Sequence, residues 1–253
     1  AADAGLSIPF RRVLRLQTLT ASVHASEEAV DRERIERGAL RGGWLFTTAR
    51  TYGYSISPED GLTASVTGEA ALDALGSSGD ARTVTAQIRG YPVVGRRHVV
   101  LAIRAAAAAS WGDRTVTRVF GAGGSSADPP GGLGRDAIGL LRGYDVDDVV
   151  GARVAVVNAD LRVPIRYVER GVGCWPLFVK ALHAAAFVDA ADAWERGFDF
   201  ETVKLTYGAE ISVDTVLGFS LPMTFAGGIA WRHDGAGRLP EGAVVFGRIG
   251  RAF

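Results

Sequence analysis

The sequence predicts an all-β protein, an antiparallel transmembrane β-barrel to which this chain contributes about ten strands. Three observations carry that prediction. Long segments alternate apolar and polar residues, which on a strand sends the two kinds to opposite faces. Short turns interleave with longer polar loops, as in barrels with short periplasmic turns and long outer loops. The apolar faces are rich in Ala and Gly, as in the run from Ala105 to Ala109, so they fill a core poorly but lie well against acyl chains. A soluble β-sandwich also alternates, but its strands have about 5 to 6 residues and need large inward side chains.

Composition sets the outer limits. The 253 residues contain no linker of biased composition, so residues 1–253 read as one domain. Lys plus Arg and Asp plus Glu number 28 each, and zero net charge supplies no field to gather nucleic acid. Cys174 stands alone, which excludes an internal disulfide and a Cys-based zinc site. Although 47% of the residues are hydrophobic, no run reaches the roughly 18 apolar residues of a membrane-spanning helix. Barrel strands need only about 9 to 11 residues, and their alternation escapes hydropathy averaging. His24, His98, His183 and His233 are too scattered to pair on a metal, and no catalytic, metal or cofactor constellation stands out. The Ala1-Ala2-Asp3 start fits either a mature form or a piece of a longer protein.

Residues 10–24 and 39–52 are the first expected strands, and both alternate loosely. Residues 62–70 alternate without exception, with Leu62, Ala64, Val66, Gly68 and Ala70 against Thr63, Ser65, Thr67 and Glu69. Residues 83–91 set Val84, Ala86 and Ile88 against Thr85, Gln87 and Arg89, and 98–111 follow less regularly. A long loop, about 112–151, comes next and is expected to fold inward. Strands at 153–165 and 178–191 follow, the second with His183 and Asp189 on its polar face. Residues 203–214 set Leu205, Tyr207, Ile211 and Val213 against Thr206, Glu210, Ser212 and Asp214. Segments 222–232 and 243–253 complete the series. Counting back from the last strand puts both chain ends on the periplasmic side, and the connection at 163–176 is longer than a periplasmic turn prefers.

Between Gly121 and Gly139 the long loop is rich in Gly, Pro and Ser, and it lacks the Lys of a phosphate-binding loop. It closes on Leu141-Arg142-Gly143-Tyr144. If the loop returns into the lumen, Arg142 meets carboxylates in a confined space, where a bidentate guanidinium pair is strong and geometrically selective. Alternation offers Asp189 on one strand and Glu210 on the next.

The tetrad resembles the aliphatic-Arg-Gly-aromatic signature of the bacterial surface-antigen superfamily, outer-membrane barrels that include BamA-type assembly factors and two-partner secretion transporters. Three further stretches fall in that family's order. Asp160-Leu161-Arg162-Val163-Pro164 is similar to its acidic-x-Arg-x-Pro strand, with Asp where Glu is commoner. Phe187-Val188-Asp189-Ala190-Ala191 resembles its Phe-x-Asp-x-Gly strand, with Ala191 in place of Gly, and Gly208-Ala209-Glu210 matches its Gly-x-Glu. The chain ends Ile249-Gly250-Arg251-Ala252-Phe253, similar to the terminal aromatic signal for barrel insertion, although Arg251 shares a face with Ile249 and Phe253.

The resemblance implies that Arg142 pairs with Asp189, with Glu210 the second choice, and that Asp160 and Arg162 join the lumenal set. Family barrels have about 16 strands, so the chain looks like the last ten. About eight strands already fill with side chains, so either strands are missing from this chain or the loop is a tight plug. The first is favoured, because unpaired strand edges are forbidden in hydrocarbon. Upstream strands or a domain of the same protein are then partners, together with outer-membrane lipid.

The function so implied is non-enzymatic: a barrel of the bacterial outer membrane that inserts or translocates client polypeptides. Strand addition at a weak seam around Gly247, Ile249, Gly250 and Phe253 is the mechanism, the glycines lowering the cohesion of the last strand. The alternative is a passive pore or structural surface antigen of the same fold, with inward residues such as Arg89, Arg104 and Lys204 lining the channel. Neither reading needs a cofactor, a metal or nucleic acid.

Overall fold

The computed structural model describes residues 2–30, 33–95, 98–124, 137–234 and 242–250. Strands β1 (Ala2–Arg12), β2 (Arg15–Val30), β3 (Glu33–Thr47), β4 (Gly61–Ala71), β5 (Ala81–Tyr91) and β6 (Val100–Gly112) come first. The long connection carries β7 (Phe120–Ala122), β8 (Ala137–Gly139) and β9 (Val149–Gly151). Then come β10 (Arg153–Gly171), β11 (Leu177–Trp194), β12 (Lys204–Leu217), β13 (Leu221–Asp234) and β14 (Ala243–Ile249). Eleven of these form one sheet in the order β1-β2-β3-β4-β5-β6-β10-β11-β12-β13-β14, each neighbouring pair antiparallel. The short strands make a separate sheet, β8-β7-β9.

The two faces of the large sheet invert the usual sorting of a soluble protein. On β12, Tyr207 is 45% and Ile211 56% exposed, while Thr206 and Ser212 on the other face are 0% exposed. Leu62, Val66, Val84, Ile88, Phe225 and Ile229 are likewise exposed, and Glu69, Arg104, Asn158, Asp160 and Asp189 are buried. An outward apolar face of this extent is far larger than a soluble monomer tolerates. The buried polar face is covered by the β6–β10 connection, which touches strands from β3 to β13, so the sheet wraps around it.

Eleven strands stand where about ten were expected, and the difference lies at the start. Residues 10–24 are not one strand but the end of β1, a two-residue turn at Val13 and Leu14, and the first part of β2, paired from Arg12 with Arg15 outward. The hairpin then continues between the two expected strands, where residues 25–30 and 33–38 pair in register as β2 and β3. At the other end β3 stops at Thr47 rather than 52, and the connection tucks Ser55, Ile56 and Ser57 out of solvent. The long connection at 163–176 is mostly strand, since β10 runs to Gly171 and β11 starts at Leu177.

An odd number of antiparallel strands places Ala2 and Gly250 at opposite ends of the sheet, which corrects the expectation that both chain ends share one side. Among the described residues β1 and β14 do not pair with each other, so both are edges. All eleven residues of β1 are exposed, and Pro9 sits within it. Among the described residues a further unpaired border lies on β10, whose pairing with β6 ends at Arg162 while its pairing with β11 continues past Pro164. Proline, lacking a backbone donor, is tolerated where one side of a strand is free.

Candidate functional site

The strand register brings three inward carboxylates together. Asp160 on β10 lies opposite Phe187 on β11, which lies opposite Gly208 on β12. Asp189 is two residues from Phe187 on the same face, and Glu210 two residues from Gly208. Gly208 has to be small, because a Cβ there would come within 2.7 Å of the Phe187 ring and 2.1 Å of the Ile229 carbonyl oxygen.

Arg142 drops into this set from the loop and is fully buried. Its Nε donates to Asp189 Oδ2 at 2.8 Å, its Nη2 to Asp189 Oδ1 at 2.7 Å and to Asp160 Oδ1 at 2.5 Å, and its backbone N–H to Asp189 Oδ2 at 3.2 Å. Glu210 Oε2 stands 3.5 Å from Nη1. The guanidinium also lies 3.7 Å from the centroid of Phe187, a cation–π contact. Both partners weighed from the sequence, Asp189 and Glu210, thus face the same arginine.

The other tetrad residues fix how the arginine is presented. Leu141 is fully buried in a cluster with Phe120, Tyr144, Val154 and Val156, while Leu140 packs with Tyr91, Val100 and Ala102. Gly143 has φ +87°, and a Cβ there would lie 2.7 Å from the Ala230 side chain on β13. Glycine is required on both counts. Tyr144 donates its hydroxyl to the Leu205 carbonyl at 3.4 Å, and Lys204 and Arg232 flank its ring at 5.2 and 5.6 Å.

Around this centre the network is balanced and extended. Arg162 donates to Asp160 Oδ2 at 2.8 and 3.2 Å. Arg248, on edge strand β14, donates to Glu210 Oε1 at 2.5 Å across β13, where a Cβ on Gly228 would come within 2.7 Å of the Phe246 ring and 2.9 Å of the Glu210 Cβ. Asn158 links Asp189 Oδ1 (2.8 Å) and the Leu140 carbonyl (2.8 Å) to Arg104 (3.0 Å). Arg142, Arg162 and Arg248 therefore balance Asp160, Asp189 and Glu210, and burial strengthens each attraction while making any lost partner costly.

Sequence reasoning passed over a second cluster. Glu69 on β4 accepts from Arg37 Nη1 at 2.9 Å, Arg41 Nε at 2.5 Å, and Arg118 Nε and Nη2 at 2.9 Å each. Arg118 belongs to the loop, and Arg37 also donates to the loop carbonyl of Val116. Alternation marks Glu69 as the inward acid of its strand; nothing periodic marks Arg118.

Of the seam residues, Ile249 is 63% exposed and outward, and Gly247 faces Gly227 across the β13–β14 pair. Gly250 has φ +108° and donates its N–H to the Thr224 carbonyl at 2.7 Å, which ends the strand. Phe253 and Arg251 lie outside the described residues. Among the described residues no group of three His, Cys, Asp or Glu side chains is arranged to hold a metal ion.

No protein-family model and no curated protein sequence matches the chain. The fold does match solved structures. A crystal structure of BamA from Haemophilus ducreyi lacking POTRA domains 1-3 aligns over 98% of this chain and 54% of that chain, with a TM-score of 0.56 and 15% identity. The chain thus has the fold of that barrel and spans about half the length of the protein it matches.

Proposed function

We propose that this chain is the C-terminal part of an outer-membrane β-barrel of the surface-antigen type that inserts or translocates polypeptides at the outer membrane. The observation that carries the reading is Arg142, held by the inward carboxylates of a sheet with the BamA barrel fold. The outward apolar face meets lipid, and further strands of the same protein, beyond those described, complete the wall. The client enters as an added strand on β14, which among the described residues pairs with β13 alone. Gly247 and Gly250 keep that edge loosely held.

Reconstitution tests this. Full-length protein in liposomes, offered a urea-unfolded barrel client, should hasten the client's conversion to a heat-modifiable, protease-resistant form. A photo-crosslinker in place of Val245, which is 79% exposed on β14, should capture the client during that conversion. A rate equal to that of protein-free liposomes, no crosslink and a steady ion conductance would instead identify a passive pore or structural antigen of the same fold.

A further inference from the structure

The geometry points to a second anchoring site for the loop, Glu69 with Arg118, Arg37 and Arg41, and we propose that the loop joins it to the Arg142 site as a brace between the two edge strands. The connection can be followed atom by atom. On β1, Asp3 accepts from His24 at 3.0 Å and lies 3.5 Å from Arg41 Nη1, and Arg41 in turn holds Glu69. Glu69 holds Arg118, at the start of the loop, through two hydrogen bonds of 2.9 Å.

From Arg118 the chain reaches β7, and the next residues are clamped directly onto the tetrad. Leu141 donates its N–H to the Gly124 carbonyl at 3.1 Å, and Gly124 donates to the Tyr144 carbonyl at 3.2 Å. Phe120 and Leu141, both fully buried, share one apolar cluster. The two guanidinium anchors are therefore linked by backbone hydrogen bonds and packing, without passing through the intervening loop residues 125–136. From Arg142 the path continues through Glu210 to Arg248 on β14.

Each anchor alone would be a local staple. Joined through a packed element, they act in series: losing either one relaxes both edges. The inference concerns the wall itself and holds whether the barrel handles clients or conducts ions.

Hydrogen exchange of the full-length protein in lipid nanodiscs distinguishes series from local action. The variants are Arg118→Ala, Arg118→Lys, the near-isosteric Glu69→Gln, Arg142→Ala, and Arg118→Ala combined with Arg142→Ala. Arg118→Ala should speed exchange at Ala243–Ile249, on the far edge, by about tenfold, the factor that roughly 1.4 kcal/mol of local opening gives. Glu69→Gln should do the same more weakly, and Arg118→Lys should restore part of the protection. The double variant should exchange on β14 no faster than the faster single one. Faster exchange confined to β2–β4 in both Arg118→Ala and Glu69→Gln, or additive effects on β14, would overturn the brace and leave two independent staples. If Arg118→Ala fails to fold, the far-edge readout in Glu69→Gln decides.

Discussion

Arg142 grips Asp189 through two parallel hydrogen bonds, Nε to Oδ2 at 2.8 Å and Nη2 to Oδ1 at 2.7 Å, with both side chains fully buried. A lysine carries its three donors on one nitrogen, so it could not present two parallel N–H groups in the plane of the carboxylate.

Arg142→Ala should destabilise the barrel by about 3 to 5 kcal/mol, because three carboxylates are left facing one another without their shared cation. Asp189→Ala should cost a similar amount. The double variant should cost clearly less than the sum, measured as loss of heat-modifiability on denaturant titration. Simple additivity would remove the pair from the account.

Gly143→Ala should be damaging for two separable reasons. Its φ of +87° costs a side chain about 1 to 2 kcal/mol, and the added methyl meets Ala230 at 2.7 Å. Adding Ala230→Gly should recover the contact portion only, so rescue in a thermal melt is partial. Full rescue would mean that the backbone angle is not under constraint.

The outward face can be tested with one charge. Ile211→Arg should cost about 2 to 4 kcal/mol if this position lies near the bilayer midplane, read as a lower denaturant midpoint in lipid vesicles. Ile211 is 56% exposed in the isolated chain, so the same change should cost little if water rather than lipid bathes that face.

Phe219 sits at φ +66° in the turn between β12 and β13 and is 87% exposed. Phe219→Asn should stabilise that hairpin by up to about 1 kcal/mol, since asparagine tolerates the left-handed region better. Slower hydrogen exchange at Leu217 and Leu221 would report it. No change, or a loss of protection, would indicate that the ring contributes a contact of its own, such as one to the membrane interface.

The sequence made some strands plain and hid others, for physical reasons. Segments such as 62–70 and 203–214 are legible because each side chain answers to one of two opposite environments, and a shift of one residue would exchange them all. The β1–β2 hairpin is hidden because Val13 and Leu14 form its turn without any Gly, Asn or Pro to signal it. The tetrad could be placed in the lumen because its carboxylate partners sit on strands whose inward faces were clear. Arg118 could not, since a loop residue has no period to betray its direction. Arg248 lies on the inward face by alternation, but its partner Glu210 is two strands away, and no periodicity within either strand marks a contact that reaches across a third.

The prolines at the sheet borders carry a last consequence. Two strand margins without a neighbour among the described residues, on β1 and on the extension of β10, contain a residue that cannot donate to an incoming ladder: Pro9 and Pro164. β14 has none, from Ala243 to Ile249. Such residues act as gatekeepers against unwanted pairing, so a strand laid against Pro9 or Pro164 would lack a ladder hydrogen bond that every position of β14 can supply.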